Sequence, residues 1–478
     1  MEYGTKTWWQ YLDLLRSRDI EVRSLVVWQG GKEIFSHAAA PFALGQVHPL
    51  YSVTKSFTSC AVGLLVEEGR IGLATPWISY FPEYRKDVAD PRFLQVTVRD
   101  LLTMQLGQDA EPYVAGDDDW AKGVAGKLLA HDPGTAFLYN SMCSHLLSLL
   151  VERASGKTEE EFLAERLFEP LGITQWWWEQ DRQGHTTGGF GLHLATPDLA
   201  KFGQCLLDGG KWEGRQVIPE RWIHEATAKQ AETRPFYPAS ATEDRNGYGY
   251  QFWMCANGGY RCSGLFGQLC YVLPEEQLVV AASSATDGSK PLMDALYEVL
   301  AEGAMQEEVP AQRQQELAVV AFPEGTATSP RAEKKLAGVH GLEPNREGFE
   351  QISFGFEEGT TPALTCRIVR DGVAYEVRAG HGTWLPAGQG SRSIGELFPF
   401  ATAAAERIEV PAWDAKTTFG AYAWTSPSTL AIETREADET RRCQILCQLD
   451  GNHLVAEVSA SNMYCGHAPS AFWLAAKA

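Results

Sequence analysis

The sequence predicts a mixed α/β (α+β) protein in two units. Helices interleave with strands over residues 1–305, and an all-β unit occupies 333–478. Three observations predict this. Through the first part, apolar residues recur at helical spacing between start and stop signals, with short β-rich runs among them. Residues 306–332 are dominated by Glu, Gln, Pro, Ser and Thr and read as a linker. Beyond them, short alternating strands with turns replace the helices, as at 365–369 and 429–433. The 478 residues, 44% of them hydrophobic, exceed one ordinary domain and can bury a sizeable core plus a second unit.

The elements follow in order. Residues 8–15 read as a short amphipathic helix, and 25–28 with 33–35 as a hairpin around Gly30-Gly31. In the stretch YSVTKSFTSCAVGLLVEEG, residues 51–69, the apolar Val53, Phe57, Cys60, Ala61, Leu64 and Leu65 recur at helical spacing, and Gly69 closes the pattern as a C-cap. Residues 97–102 read as a capped helix start, running into a loop with Gly107 and the acidic Asp117, Asp118 and Asp119, a solvated loop tip. Pro133-Gly134-Thr135 is a turn. Helices are expected at 145–154, ended by Gly156, and at 159–168, ended by Pro170-Leu171-Gly172. Thr196-Pro197-Asp198 caps a helix over 199–207. A turn at 209–212 precedes a helix beginning at 219–222. Residues 247–253 read as an aromatic strand, 261–273 and 278–283 as two neighbouring strands joined at 274–276, and 292–305 as a closing helix.

A formal net charge of −20 argues against nucleic acid or an anionic membrane as the main partner. The ten cysteines are scattered, several in apolar runs, with no C-x-x-C and no Cys/His cluster of zinc spacing. Free buried thiols in a reducing compartment are expected, with no metal and no cofactor. The start MEYGTKTWWQYLDLL lacks the basic region, apolar core and cleavage site of a signal peptide, and no run approaches a membrane span. A cytoplasmic protein is expected.

The chemistry centres on Ser52. It lies in the first turn of a very apolar helix, with Lys55 one turn later on the same side. A serine hydroxyl becomes a nucleophile when a nearby base removes its proton. Lysine serves as that base when burial and a positive helix N-terminus lower its pKa. The same N-terminal N–H groups can stabilise an oxyanion. The bland alternative is a surface helix start with Ser as cap and Lys in solvent. Such a site also needs a proton donor, a second oxyanion N–H and a substrate wall. Tyr139, at a turn-to-helix junction, is the acid/base candidate, and a positive neighbour would lower its pKa. In 262–267, Cys-Ser-Gly-Leu-Phe-Gly, a Gly-punctuated strand marks close approach of a ligand or backbone and would aim the Leu265 N–H at a carbonyl oxygen. His145 and His193 read as core histidines.

These residues resemble the β-lactamase-related serine hydrolases, the superfamily of class C β-lactamases, penicillin-binding proteins, D-aminopeptidases and family VIII carboxylesterases. Ser52-Val53-Thr54-Lys55 matches the family's S-x-x-K. The run PGTAFLYNSMCSHLLSLLVERASGKT, followed by FEPLGIT, resembles the second-motif region, with Tyr139 on the catalytic tyrosine. Cys262-Ser263-Gly264 falls where the family has K-T-G, H-x-G or W-x-G. The resemblance covers about residues 1–300. It implies a central, mostly antiparallel sheet flanked by helices, with no metal or cofactor. Two departures stand out. Ser141 occupies the usual Asn position of the second motif, with Asn140 beside it, so either residue can take the polar role. Cys262 replaces the third-motif cation that helps hold a substrate carboxylate, which favours neutral esters or amides over penicillins and peptidoglycan. The tail from 333 loosely resembles the lipocalin-like β domains appended to this family.

The resulting expectation is a serine hydrolase working through an acyl-enzyme on a small-molecule ester or amide. Ser52 is the nucleophile, Lys55 and Tyr139 share the base role, and the N–H groups of Ser52 and Leu265 form the oxyanion hole. Asn140, Ser141, Cys262, Ser263 and Gly264 are expected against substrate, and Tyr248, Tyr250 and Trp253 are offered as acyl-pocket lining or as core. The rivals are a non-catalytic scaffold of the same fold, or a true β-lactamase. A homodimer is left open.

Overall fold

The computed structural model describes residues 2–111, 118–286, 288–301, 308–325, 329–387, 392–398, 417–437, 439–451, 453–461 and 471–477. They divide into two compact units. One holds Met1–Ala38 and Leu44–Gln314; the other holds Ala39–Ala43 with the described residues after 314. Among the described residues, no helix is long and apolar enough to cross a membrane.

The first unit is built on a six-stranded antiparallel sheet. Its strand order is Lys32–Ala38, Glu21–Gln29, Leu278–Ala285, Gln268–Leu273, Tyr260–Gly264, Trp253–Met254. The Leu278–Ala285 strand is buried at every position, as a central strand covered on both faces must be. Helix Thr196–Leu207 packs against it, and helix Thr5–Ser17, longer than its apolar pattern suggested, packs against Lys290–Ala301. The last of these was expected to reach 305; residues 302–307 lie outside the described set.

Helix Thr54–Glu67 is buried from Thr54 through Leu65, so its apolar pattern reflects envelopment on all sides. It is entered through a 3-10 turn, Tyr51–Val53, with Tyr51 at φ +48°. Neither turn nor helix has a side-chain cap; the Val53 N–H donates to the Leu50 carbonyl at 3.2 Å and the Thr54 N–H to the Tyr51 carbonyl. The partner helix Ser141–Ser155 begins with Asn140 as its cap, Asn140 Oδ1 accepting from the Met142 N–H at 2.9 Å, and ends at Gly156 in the left-handed region.

Two expectations are corrected. Residues 247–253 form a loop joined by single bridges, with only Trp253–Met254 a strand. The reason is Gln251, at φ +67°, whose buried amide donates to the Leu101 and Leu102 carbonyls and turns the chain inward. Residues 261–273 are two strands, because Phe266 at φ +59° and Gly267 at φ +81° fold them into a hairpin over Leu265–Gly267. Of the acidic run, Asp117 lies outside the described residues. Asp119 caps helix Trp120–Ala125, and Asp118 pairs with Arg182 at 3.2 Å.

The second unit is one ten-stranded sheet running from Gly338–Gly341 to Ala471–Lys477, antiparallel except where Val373–His381 meets Thr418–Ser426. A bridge between Leu342 and Ala476 brings its ends together, so the sheet nearly closes. Alternate residues such as Ile352, Phe354, Cys366, Ile368, Ile445 and Cys447 fill its interior. In the 306–332 stretch the described residues include helix Ala311–Leu317, and Val320 N–H donates to the Ala40 carbonyl at 2.8 Å.

Candidate active site

The uncapped start of helix Thr54–Glu67, the start of helix Ser141–Ser155 and the segment 186–190 converge on one amine. Lys55 Nζ donates to Ser52 Oγ at 3.0 Å, Ser141 Oγ at 3.2 Å and the Gly189 carbonyl at 2.6 Å. Three acceptors satisfy the three N–H bonds of an ammonium and fix its position. The side chain is 1% exposed. Burial lowers its pKa to about 8, while Glu111 and Cys143 oppose the shift. Near neutral pH the amine thus loses its proton far more readily than a solvated lysine does.

Tyr139 lies beside the same amine. Its ring centroid is 4.8 Å from Lys55 Nζ, and the Ser52 side chain is among the groups that act on its hydroxyl. The expected downward pull from Lys55 does not appear. Burial dominates and pushes the Tyr139 pKa up, with Tyr237, Glu111 and Asp244 adding to it and only Ser52 opposing. Tyr139 is therefore a neutral phenol beside an amine whose protonation is labile.

The Cys262-Ser263-Gly264 strand approaches the Ser52 turn closely. A Cβ on Gly264 would stand 2.3 Å from the Leu50 carbonyl oxygen, so glycine is what lets strand and turn meet. The Tyr51 and Phe266 rings pack edge to face at 5.3 Å across this contact, bringing Leu265 beside the nucleophile turn. Ser263 Oγ donates to Ser289 Oγ at 2.8 Å. Cys262 is 1% exposed and sits in the core, directly across from Cys270 on the neighbouring strand, both thiols free. That places it among packed thiols rather than against substrate.

Two polar neighbours in the second motif divide their tasks. Asn140 is buried, caps its helix and donates from Nδ2 to Gln108 Oε1 at 2.8 Å; Ser141 is the one that touches Lys55. Of the aromatic candidates, Trp253 stacks on Tyr139 at 5.3 Å and Tyr248 meets it edge-on at 6.2 Å. Tyr250 instead packs on Trp222 at 5.3 Å, on the core side. His145, 3.3 Å from Asp181, and His193, stacked on Trp177, are both buried in the core.

Sequence reasoning missed several members. Gly189 acts through its carbonyl, which no side-chain pattern reveals. Glu111 is exposed, and its Oε1 accepts the Ser141 N–H at 2.7 Å, placing a carboxylate at the rim of the site. Tyr237 adds a ring 5.8 Å from Trp253. Nothing local in the sequence marks Glu111, which reaches Ser141 across thirty residues.

Comparison with known proteins gives concordant results. A family model described as Beta-lactamase matches residues 13–305. The 6-aminohexanoate-dimer hydrolase of Paenarthrobacter ureafaciens is 29% identical over 315 residues, covering 57% of this chain and 77% of that protein. A family VIII carboxylesterase structure superimposes with TM-score 0.52 at 18% identity, covering 63% of this chain and 97% of the other. The octameric penicillin-binding protein homologue from Pyrococcus abyssi superimposes with TM-score 0.50 at 17% identity over 98% of this chain and 99% of that one, a likeness that extends through both units.

Proposed function

The chain belongs to the beta-lactamase family, and on that premise we propose that Ser52, Lys55 and Tyr139 form the acylation site of a serine hydrolase acting on esters or amides. The observation that carries the reading is the 3.0 Å bond between Ser52 Oγ and a buried lysine whose pKa falls to about 8. Lys55 in its neutral form takes the Ser52 proton as Oγ attacks the substrate carbonyl. The Ser52 and Leu265 N–H groups stabilise the oxyanion. When the tetrahedral adduct collapses, Tyr139 protonates the departing oxygen or nitrogen and recovers a proton from Lys55. Water then attacks the acyl-enzyme, giving its proton to Lys55, and Lys55 passes that proton to Ser52 Oγ as the ester bond breaks and the acid leaves. The elevated Tyr139 pKa suits it to the donor role.

The substrate class follows from charge. Cys262 supplies no cation, and the described polar group at the rim is the Glu111 carboxylate. A neutral or amine-bearing acyl chain fits this arrangement better than one carrying a carboxylate. A relative named for hydrolysing an amide, the 6-aminohexanoate dimer, agrees with that choice. Trp253, Tyr248 and Tyr237 form the aromatic wall nearest Tyr139. The nine described cysteines, all buried and unbridged, support a cytoplasmic setting.

The test is hydrolysis of p-nitrophenyl butyrate by the wild type and by Ser52→Ala at matched concentration and confirmed folding. Turnover that disappears in the variant supports the reading. Equal background rates in both, extended to amine-bearing amides, would overturn it.

A further inference from the structure

One fully buried carboxyl lies directly behind the nucleophile helix, and the acylation chemistry does not use it. Glu159, at the start of helix Glu159–Leu163, is 0% exposed. Burying a carboxyl costs several kcal/mol unless it is neutral or paired. No cation pairs with it among the described residues. Its polar neighbours are the hydroxyls of Thr58, one turn beyond Lys55, and Ser148, on helix Ser141–Ser155.

Those hydroxyls are already committed. Thr58 Oγ1 donates to the Gly188 carbonyl at 2.8 Å, and Ser148 Oγ donates to the Thr186 carbonyl at 2.7 Å. A hydroxyl has one proton, so toward Glu159 both can only accept. Consistently, neither carboxyl oxygen of Glu159 receives an aligned hydrogen bond. An ionised carboxylate would face two lone-pair donors, whereas a protonated acid can donate to one of them.

The carbonyls held in this way form a series. Ser148 holds Thr186, Trp178 Nε1 holds Thr187 at 2.8 Å, Thr58 holds Gly188, and Lys55 itself holds Gly189. The segment cannot simply relax, because it is wedged against the neighbouring helix. A Cβ on Gly188 would lie 2.3 Å from the Ser144 carbonyl oxygen, and one on Gly189 would lie 2.7 Å from that of Ser141.

We propose that Glu159 is a positioning residue for Lys55: as a neutral acid it leaves the Thr58 and Ser148 protons on the 186–188 carbonyls, and its ionisation draws them away and loosens the Gly189 hold on the lysine. This rests on the acylation reading of Ser52 and Lys55. Burial pushes the Glu159 carboxyl up to about 7, the two hydroxyls opposing, so the change falls within the working range. The ionisable groups on the packed elements are Lys55, Cys60 and Glu67 on helix Thr54–Glu67; Cys143, His145, Glu152 and Arg153 on helix Ser141–Ser155; and Glu179, Asp181, Arg182 and His185 before the 186–190 segment. None of them is a source of the Glu159 shift. The neighbouring Glu160 also rises to about 7, through burial and Glu161, so a variant is needed to assign the titration.

The experiment compares wild type, Glu159→Gln and Glu159→Leu. The second-order rate of phosphonylation at Ser52 by a fluorophosphonate is followed from about pH 6 to about pH 9, with unfolding midpoints measured alongside. The Gln variant keeps a donor at every pH. It should react within about threefold of wild type near pH 6 and lack the loss of reactivity that wild type shows, relative to lysine deprotonation alone, above about pH 7. The Leu variant, which cannot accept the Thr58 and Ser148 protons at any pH, should likewise lack that loss while remaining folded. Wild-type kinetics and an unchanged profile in both variants would overturn the proposal. A difference infrared spectrum, wild type minus Gln variant, reads Glu159 without reference to chemistry. A protonated-carboxyl band near pH 6 that fades through about pH 7 is required, and its absence overturns the proposal. Failure of wild type to label at Ser52 would instead sink the acylation reading, whatever the spectrum shows.

Discussion

Asn140 and Ser141 are adjacent, similar in chemistry and opposite in consequence. Replacing Asn140 with Ala removes a helix cap and leaves Gln108 without its partner, so it should cost about 1–2 kcal/mol in denaturant unfolding. Ser141→Ala removes one of three acceptors from Lys55 and should leave the unfolding midpoint nearly unchanged while lowering kcat about tenfold. The reverse pattern would assign the second-motif role to Asn140. Lys55→Met should lower turnover by about 10²–10⁴-fold. The sign of the pH dependence follows from the base role. Below its lowered value of about 8, Lys55 is protonated and idle, so kcat should climb as pH rises through about 8. At this scale the sequence offered Ser52 and Lys55 as candidates because two side-chain types one helical turn apart are visible in the text, and Tyr139 from its turn-to-helix junction. It did not show the neutral state of Tyr139, which is set by what encloses it, nor a backbone carbonyl such as that of Gly189.

At the scale of elements, the site depends on a segment with little regular structure. Residues 186–190 are held by side chains from two helices and a tryptophan, and their two glycines are where the helix Ser141–Ser155 presses hardest. Gly188→Ala places a methyl against a helix carbonyl that cannot shift without breaking its own ladder. It should destabilise the protein by about 1–3 kcal/mol and depress turnover together. A variant with normal stability and normal turnover would contradict the packing. The Ser52 helix was readable because twelve consecutive buried positions required an apolar run. The loop at 247–253 was not, because its aromatic residues mimic a strand while the turn is imposed by Gln251 bonding to residues 150 positions away. In the 261–273 hairpin the cue was present, Gly264 and Gly267 flanking the bend, but a non-glycine residue, Phe266, takes the left-handed conformation between them.

For the whole molecule, the all-β character of the second unit follows from alternation, which each strand carries locally. Its membership does not. The segment Ala39–Ala43, far upstream, belongs to that unit. The Ala40 N–H and carbonyl bond Ala318 and Val320, and Ala39 and Phe42 join Val320, Trp384 and Ala421 in one apolar cluster. Composition marked 306–332 as connecting chain but gave no sign that an early segment is shared. Ending the chain after residue 314 removes these partners and should lower its unfolding midpoint or cause association, measured by calorimetry and light scattering. A monomer with the unfolding behaviour of the parent would contradict this dependence.

The central claim, that Ser52 carries the acyl group, is tested most directly by trapping it. Wild type and Ser52→Ala are mixed with p-nitrophenyl butyrate, acid-quenched within the first turnovers and digested for peptide mass mapping. The account predicts one butyryl group per wild-type chain, on the peptide containing Ser52, and none on the variant. A butyryl group on another residue, or turnover that persists in the variant, would contradict it.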